Sequence, residues 1–169
     1  MTNRGRPCSV ASALEILGER WSLLVIRELF YGNHRFDAIA RNTGAPRDVL
    51  TARLRSLEAS GIVARVRYSE RPPRYEYVLT EAGRELEHVL RALVEWGDRW
   101  AVDSPPVRFR HRDHPFHPAH VCDACGEPVS HEDVTAEVLA PGWNLRGPIR
   151  PPDRASAAIG IRRGSAGDA

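Results

Sequence analysis

The sequence predicts a mainly α-helical fold with a small two-stranded β wing, followed by a C-terminal extension that contains cysteine and histidine. Three observations support this fold class. Apolar residues recur at helical spacing from Cys8 to about Trp100, and a stretch in the middle alternates with a period of two. After Asp103 the composition changes to proline, histidine, arginine and glycine. We therefore expect a folded domain over 1–102, a Cys/His-containing extension over 103–140 and a disordered tail over 141–169.

Four helices are expected before the alternating stretch. The apolar run after Arg20 predicts a buried helix that ends at Gly32, and a shorter helix ends at Gly44. Pro46 suits the first position of the next helix, because its missing N–H loses no bond there and its φ is already helical. That helix has Leu50, Leu54 and Leu57 on its inward face. The four predicted helices span 9–17, 21–31, 36–43 and 46–60.

The alternating stretch predicts a β-hairpin followed by one long helix. Residues 62–68 and 75–79 alternate between apolar and polar side chains. Because the connector 70–74 contains two prolines, we expect it to form an exposed basic tip without strand pairing. Thr80 is expected to cap a helix whose apolar stripe continues to Trp100. This order of elements is that of a winged helix-turn-helix.

Basic charge is concentrated in the middle third of the chain. All 24 basic side chains are arginines. Residues 35–74 contain nine arginines and four acids, whereas residues 81–100 contain three arginines and five acids. A local basic excess attracts polyanions, although a solvated charged face has the same composition.

The outward face of the 46–60 helix is the candidate site for double-stranded DNA. With the three leucines inward, Arg47, Thr51 and Arg55 lie one turn apart on the opposite face. A guanidinium group binds guanine through two hydrogen bonds, and threonine suits a phosphate oxygen or a thymine methyl group. The proline-rich tip is expected to lie on the DNA backbone or in the minor groove. The predicted DNA-binding residues are Arg35, Arg47, Asp48, Thr51, Ala52, Arg53, Arg55, Arg71 and Arg74.

Residues Cys8 to about Trp100 resemble the HxlR-type regulators, which are relatives of the MarR group. The resemblance rests on the motifs Gly18–Trp21, Val49–Glu58 and Pro72–Tyr77. It implies a homodimer, formed by the first and last helices, that presents two recognition helices to a palindromic operator and represses or activates transcription. Either a small-molecule effector or modification of a thiol would change the spacing of these helices. Ala45 stands where the family usually has serine, so a side-chain cap worth about 1 kcal/mol is absent.

Cys8 is a candidate redox or electrophile sensor. It lies at the start of the first helix, where the helix dipole and the flanking Arg4 and Arg6 favour the thiolate form. In some relatives the matching cysteine senses oxidants or electrophiles. The alternative is a small residue that packs in the dimer interface.

Cys122 and Cys125 form a single C-x-x-C motif followed by Gly126, a turn that can place two thiolates on one metal ion. Three interpretations stay open: a zinc site, a structural turn and a reversible disulfide. His114 and His117 are the candidates to complete a zinc site. No cofactor is required by the predicted function, and zinc is the only candidate.

Two rival functions are weighed against a regulator. An enzyme built on the Cys/His extension lacks a glycine-rich phosphate loop, a Gly-x-Ser-x-Gly turn and a His-Glu-x-x-His helix. A winged-helix module that binds only proteins is the second rival, and the arginine-bearing face argues against it. No apolar run approaches the ~20 residues that cross a bilayer, so we expect a cytoplasmic protein without a membrane partner.

Overall fold

The computed structural model describes residues 6–149, which form two compact units. One unit is Ser9–Pro128, and the other contains 6–8 together with 129–149. The predicted division at 102 and 140 stays a prediction.

The larger unit begins with the four predicted helices, which are confirmed with shifts of one residue at four of their ends. Gly44 ends the third helix in the left-handed conformation, with φ of 72°. Pro46 is the residue before the fourth helix rather than its first residue, and this helix starts without a side-chain cap. The four helices are α1 (Ser9–Leu17), α2 (Arg20–Phe30), α3 (Phe36–Thr43) and α4 (Arg47–Ala59).

The core lies where α2, α3 and α4 meet. Leu50, Leu54 and Leu57 are at most 1% exposed, as their spacing predicts. They belong to one cluster with Val25 and Ile26 of α2 and with Ile39 of α3. Each such burial stabilises the fold by about 1.5–3 kcal/mol. The cluster holds α3 and α4 in a fixed relation, so α4 presents its opposite face outward.

Glu28 is a buried carboxylate within α2, which the apolar pattern of this helix does not predict. It is 3% exposed and accepts hydrogen bonds from Arg27 at 2.7 and 3.1 Å. The side-chain amides of Asn33 and Asn42 also donate to it, each at 2.8 Å. A buried carboxylate is tolerated when it is paired and fully hydrogen-bonded. Glu28 therefore joins α2 to the last turn of α3.

A two-stranded antiparallel hairpin follows, with β1 (Val63–Glu70) and β2 (Pro73–Leu79) paired from Val63↔Leu79 to Glu70↔Pro73. The prediction that 70–74 does not pair is wrong. Only Arg71 and Pro72, joined by a cis peptide bond, form the turn. A hairpin tolerates proline because each strand keeps one unpaired edge, where a missing N–H loses no ladder bond.

Thr80 caps the next helix as predicted, but the single long helix divides into α5 (Glu81–Glu85) and α6 (Glu87–Trp100). The Thr80 hydroxyl accepts from the Gly83 N–H at 3.1 Å and donates to the Gly61 carbonyl at 2.6 Å. At Leu86 the backbone N–H bonds to Gly83 at 3.3 Å, three residues back, which is a tighter turn than the α-helix has. This local tightening separates the two helices.

A small hairpin follows α6 and lies against it, with β3 (Arg110–His111) paired to β4 (His114–Pro115). The Arg91 guanidinium group lies over the rings of Phe109 and Phe116, 4.9 Å from each ring centre. Phe116 donates its backbone N–H to the Phe109 carbonyl at 3.0 Å. Arg91 of α6 thus contacts the residues that flank the hairpin on both sides.

In the smaller unit, Trp143–Asn144 (β5) pairs with Gly147–Pro148 (β6) in a short hairpin. The sequence predicted disorder from 141 onward, and for 141–149 this is wrong. The residues between β5 and β6 form a defined turn. In this turn the Asn144 side-chain oxygen accepts hydrogen bonds from the N–H groups of Arg146 and Gly147 at 2.8 and 3.0 Å. The predicted disorder of 150–169 lies outside the described residues.

Candidate nucleic-acid interface

The outward face of α4 carries the exposed residues Arg47, Asp48, Ala52 and Arg55. Asp48, Ala52 and Arg55 project from the side opposite the buried leucines, as the helical period predicts, and Arg47 lies exposed at the first turn. Arg55 forms no ion pair with any residue in 6–149. Its guanidinium group is therefore available to a phosphate or a base edge.

Arg47 is held in place at the first turn of α4. Its guanidinium group donates to Asp37 at 2.7 Å and lies 4.7 Å from the centre of the Phe36 ring. Both charged side chains are well exposed, at 69% and 76%. Arg47 must therefore exchange Asp37 for a nucleic-acid group if it is to contact DNA.

Thr51 and Arg53 lie at the margins of this face. The Thr51 hydroxyl donates to the Arg47 carbonyl at 2.7 Å, a bond within the helix. Arg53 is 24% exposed, and its guanidinium group lies 3.9 Å from the Glu19 carboxylate at the start of α2. Position 53 is three residues after Leu50 and four before Leu57, which places it beside the buried stripe rather than opposite to it.

The wing brings further arginines to an exposed surface. Arg71 and Arg74 are exposed at its tip. The guanidinium group of Arg67 donates to the carbonyls of Ser69 and Glu70 at 3.2 and 3.0 Å, which places it at this tip as well. Sequence reasoning missed Arg67, because the connector was expected to be longer. A connector predicted as the two-residue turn Arg71–Pro72 would have indicated that Arg67 lies near the tip.

The wing is joined to the helix-turn-helix by specific contacts. Arg35, the residue before α3, lies over the ring of Tyr68 in β1 at 5.0 Å. His34 and Tyr77 share two hydrogen bonds of 2.9 Å, one of them between backbone atoms. Burial raises the pKa of the Tyr77 phenol above its usual value. These contacts couple the orientation of the wing to that of α3.

The two cysteines of the extension lie together in a tight turn. Gly126, at φ of 75°, donates its N–H to the Cys122 carbonyl at 2.7 Å. The pKa of the Cys122 thiol is lowered because its sulfur accepts hydrogen bonds from the N–H groups of Cys125 and Ala124 and from the Cys125 thiol. Cys125 is exposed and Cys122 is partly buried.

The predicted histidine ligands are not brought to these cysteines. Among residues 6–149, no three His, Cys, Asp or Glu side chains are grouped to hold a metal ion. His114 instead contacts the ring of His111, with ring centres 5.3 Å apart, and His117 lines a different cleft beside α6. The described part of one chain therefore offers two of the four ligands that structural zinc requires.

Cys8 is exposed and directly precedes α1. α1 and α6 also carry exposed large apolar side chains, spaced three or four residues apart within each helix. We call this set the α1/α6 apolar face. It contains Val10, Leu14, Val89, Leu93, Trp96 and Trp100, which are 44–71% exposed.

None of the helices that the structure describes combines the length and the apolar character needed to cross a membrane.

Comparison with known proteins assigns the family. Residues 16–105 match the model of the HxlR-like helix-turn-helix family. An uncharacterised HTH-type transcriptional regulator of Mycobacterium tuberculosis is 44% identical over 142 residues, which are 82% of this chain and 89% of that protein. The crystal structure of PA1607, named as a transcription factor, has 31% identity and a TM-score of 0.71, and the match covers 81% of this chain and 99% of that one.

A redox regulator is also among the similar structures. HypR in its oxidised form has 38% identity and a TM-score of 0.51, over 54% of this chain and 96% of that one. These relatives are regulators, which confirms the prediction that the chain is not an enzyme. The winged helix-turn-helix fold is confirmed as well. The chain belongs to the HxlR-like helix-turn-helix family and is a transcriptional regulator.

Proposed function

We propose that the protein regulates transcription by binding a palindromic operator in double-stranded DNA as a homodimer. The observation that carries this proposal is the outward face of α4, where Arg47 and Arg55 lie two helical turns apart and are exposed. The DNA major groove admits one helix, and arginine forms the commonest specific contact to guanine there. The wing tip, with Arg71 and Arg74, would contact the backbone beside this groove.

The α1/α6 apolar face supports the dimer. Exposed large apolar side chains that recur at helical spacing, two of them tryptophans, are typical of helices that pack against a partner. A second copy that covers this face would present two α4 helices. A twofold dimer reads two half-sites about 34 Å apart, one turn of DNA, so the operator is expected to be an inverted repeat. Such binding requires no cofactor.

The proposal is tested by incubating purified full-length protein with sheared genomic DNA, recovering the bound fragments at two salt concentrations and sequencing them. We expect an inverted-repeat site whose affinity falls steeply as salt increases, because phosphate contacts release counterions. Recovery of no sequence above background would instead favour the protein-binding module. A site without twofold symmetry would contradict the dimeric arrangement.

A second proposal concerns redox control through Cys8. It is supported by the exposure of Cys8 beside α1 and by the likeness to a redox regulator. Oxidation at this position would alter the end of a helix that carries part of the α1/α6 apolar face. The test compares release of operator DNA by diamide from the wild type and from Cys8→Ser. Equal release from both proteins would exclude this role for Cys8.

A further inference from the structure

A cavity of about 460 Å³ lies between α2, α6 and the segment that leads into β3. Its volume is within the range of small-molecule sites. The apolar and aromatic residues of its wall come from all three elements. They include Leu23, Leu24, Phe30, Leu90, Val94 and Phe109.

The charged groups of this cavity are mostly cationic. Arg20, Arg27 and Arg91 line it, against the single carboxylate of Glu87. Arg91 is already paired with Glu87. Arg20 lies over the ring of Trp21 at 4.6 Å and forms no ion pair within 6–149. An apolar cavity with a cationic excess complements a molecule that has an aromatic body and one negative charge.

We propose that this cavity is an effector site for a small aromatic monoanion, whose carboxylate or sulfonate group pairs with Arg20 and Arg27. The inference rests on the proposed DNA-binding function and names the chemistry of its effector.

A route from the cavity to the helix-turn-helix starts at Arg27. Its guanidinium group lines the cavity and also donates to the buried carboxylate of Glu28 at 2.7 Å. Glu28 in turn accepts from the amide of Asn42, in the last turn of α3, at 2.8 Å. An anion in the cavity competes with Glu28 for Arg27. Because a buried carboxylate depends on its donors, loss of Arg27 changes its bonds to Asn42 and with them the position of α3.

The test uses full-length protein and two probes of the same shape, 2-naphthoate and its neutral amide, 2-naphthamide. Calorimetric titration without DNA is expected to give one site per chain for 2-naphthoate, with binding about tenfold tighter than for 2-naphthamide, since the carboxylate adds charge-assisted hydrogen bonds. Arg20→Gln is expected to remove most of this difference. Arg84→Gln, on α5 and outside the cavity, is the matched control and is expected to retain it.

A filling variant, Val94→Trp, is expected to abolish binding of both probes, with circular dichroism as the check on its fold. Equal affinities for the two probes, no binding of 2-naphthoate, or no effect of Arg20→Gln would each overturn the site. Absence of binding is also the result expected if a second chain fills the cavity.

The effect of the ligand on DNA binding is measured separately. The affinity of the wild type for its selected operator is compared with and without saturating 2-naphthoate. We expect about a fivefold to tenfold loss, within the usual range of coupling between two sites. Probe binding with unchanged operator affinity would overturn the route through Glu28. Failure to bind any operator, with the probe still bound, would instead count against the proposed function.

Discussion

Arg55 and Arg47 share one face of α4, but they differ in what each must give up to bind DNA. Arg55 has no carboxylate partner within 6–149, whereas Arg47 is paired with Asp37 at 2.7 Å. Direct contact with a base edge is worth about 1–3 kcal/mol. We expect Arg55→Ala to lose this full amount in specific affinity and Arg47→Ala to lose less, because that variant also removes the competing pair.

Fluorescence anisotropy with the selected operator measures both losses, and Arg84→Ala on α5 is the control. Equal affinities for the wild type, Arg55→Ala and Arg47→Ala would show that α4 does not present the DNA-binding face.

Asp37 is a negative charge within the predicted interface, and its removal is the converse test. Asp37→Asn frees Arg47 and removes the repulsion between the carboxylate and a phosphate. Because exposed ion pairs contribute little to folding, about 0–1 kcal/mol, stability should change only slightly. Affinity for DNA is expected to rise at low salt. Asp123→Asn, in the cysteine turn, is a charge-matched control, and an equal rise in both variants would mean that only net charge matters.

The Cys122/Cys125 turn limits how zinc can bind. Since residues 6–149 of one chain bring two ligands together and structural zinc takes four, a full site built from these residues needs a second chain. We therefore expect purified protein to contain no more than about half a zinc ion per chain. Plasma emission analysis gives this ratio, with Cys122→Ser as the control. A ratio near one would mean that a third and fourth ligand come from the same chain.

Residues that the sequence assigns correctly are those whose position follows from helical period alone. Leu50, Leu54 and Leu57 are buried and Arg55 is exposed, as predicted. Arg53 lies at the border between the two faces, where a period cannot decide which neighbour the side chain meets. Whether the predicted residues contact DNA stays a prediction, because that depends on groups outside the chain.

At the scale of elements, local signals were sufficient where one residue determines a helix end. Gly44 and Thr80 end and begin helices as predicted. The burial of Glu28 depends on its bond to Asn42, 14 residues along the chain. The division at Leu86 depends on a backbone bond to Gly83, which the apolar pattern of the helix does not encode. The hairpin connector was misjudged because proline was read as excluding pairing, although a free strand edge accepts it.

Thr80 joins three elements, and its replacement tests this junction. Its hydroxyl caps α5 and also donates to the carbonyl of Gly61, at the end of the α4–β1 turn. Loss of a cap costs about 1 kcal/mol, with a range of about 0.5–2. We expect Thr80→Ala to fall near the upper end, because it removes the hydroxyl's bonds to the Gly61 and Ile62 carbonyls together with the cap.

Urea unfolding at constant protein concentration measures the effect, since the stability of a dimer depends on concentration. Thr80→Ser retains the hydroxyl and should lose less than half as much. If both variants lost the same amount, the threonine methyl group and not the hydroxyl would be the stabilising part.

At the scale of the whole molecule, two α4 helices must be held at a fixed spacing to read an inverted repeat. The α1/α6 apolar face is the surface that we propose for this. Trp96 is at its centre along α6 and is 62% exposed. In the proposed dimer this ring is buried, and truncation of such a central aromatic residue commonly costs 2 kcal/mol or more, on the order of a thirtyfold change in affinity.

We expect Trp96→Glu to convert the dimer into a monomer, because the new carboxylate would have to be desolvated in an apolar interface. Sedimentation equilibrium measures the mass, and anisotropy should show a parallel loss of operator affinity, since a monomer reads only one half-site. Leu139→Glu, at a position 82% exposed in the smaller unit, is the matched control and should remain dimeric. A Trp96→Glu protein that stayed dimeric, with unchanged operator binding, would move the interface away from α6. If Trp96→Glu stayed dimeric but lost DNA binding, Trp96 would be needed to set the spacing of the two α4 helices and not to form the dimer.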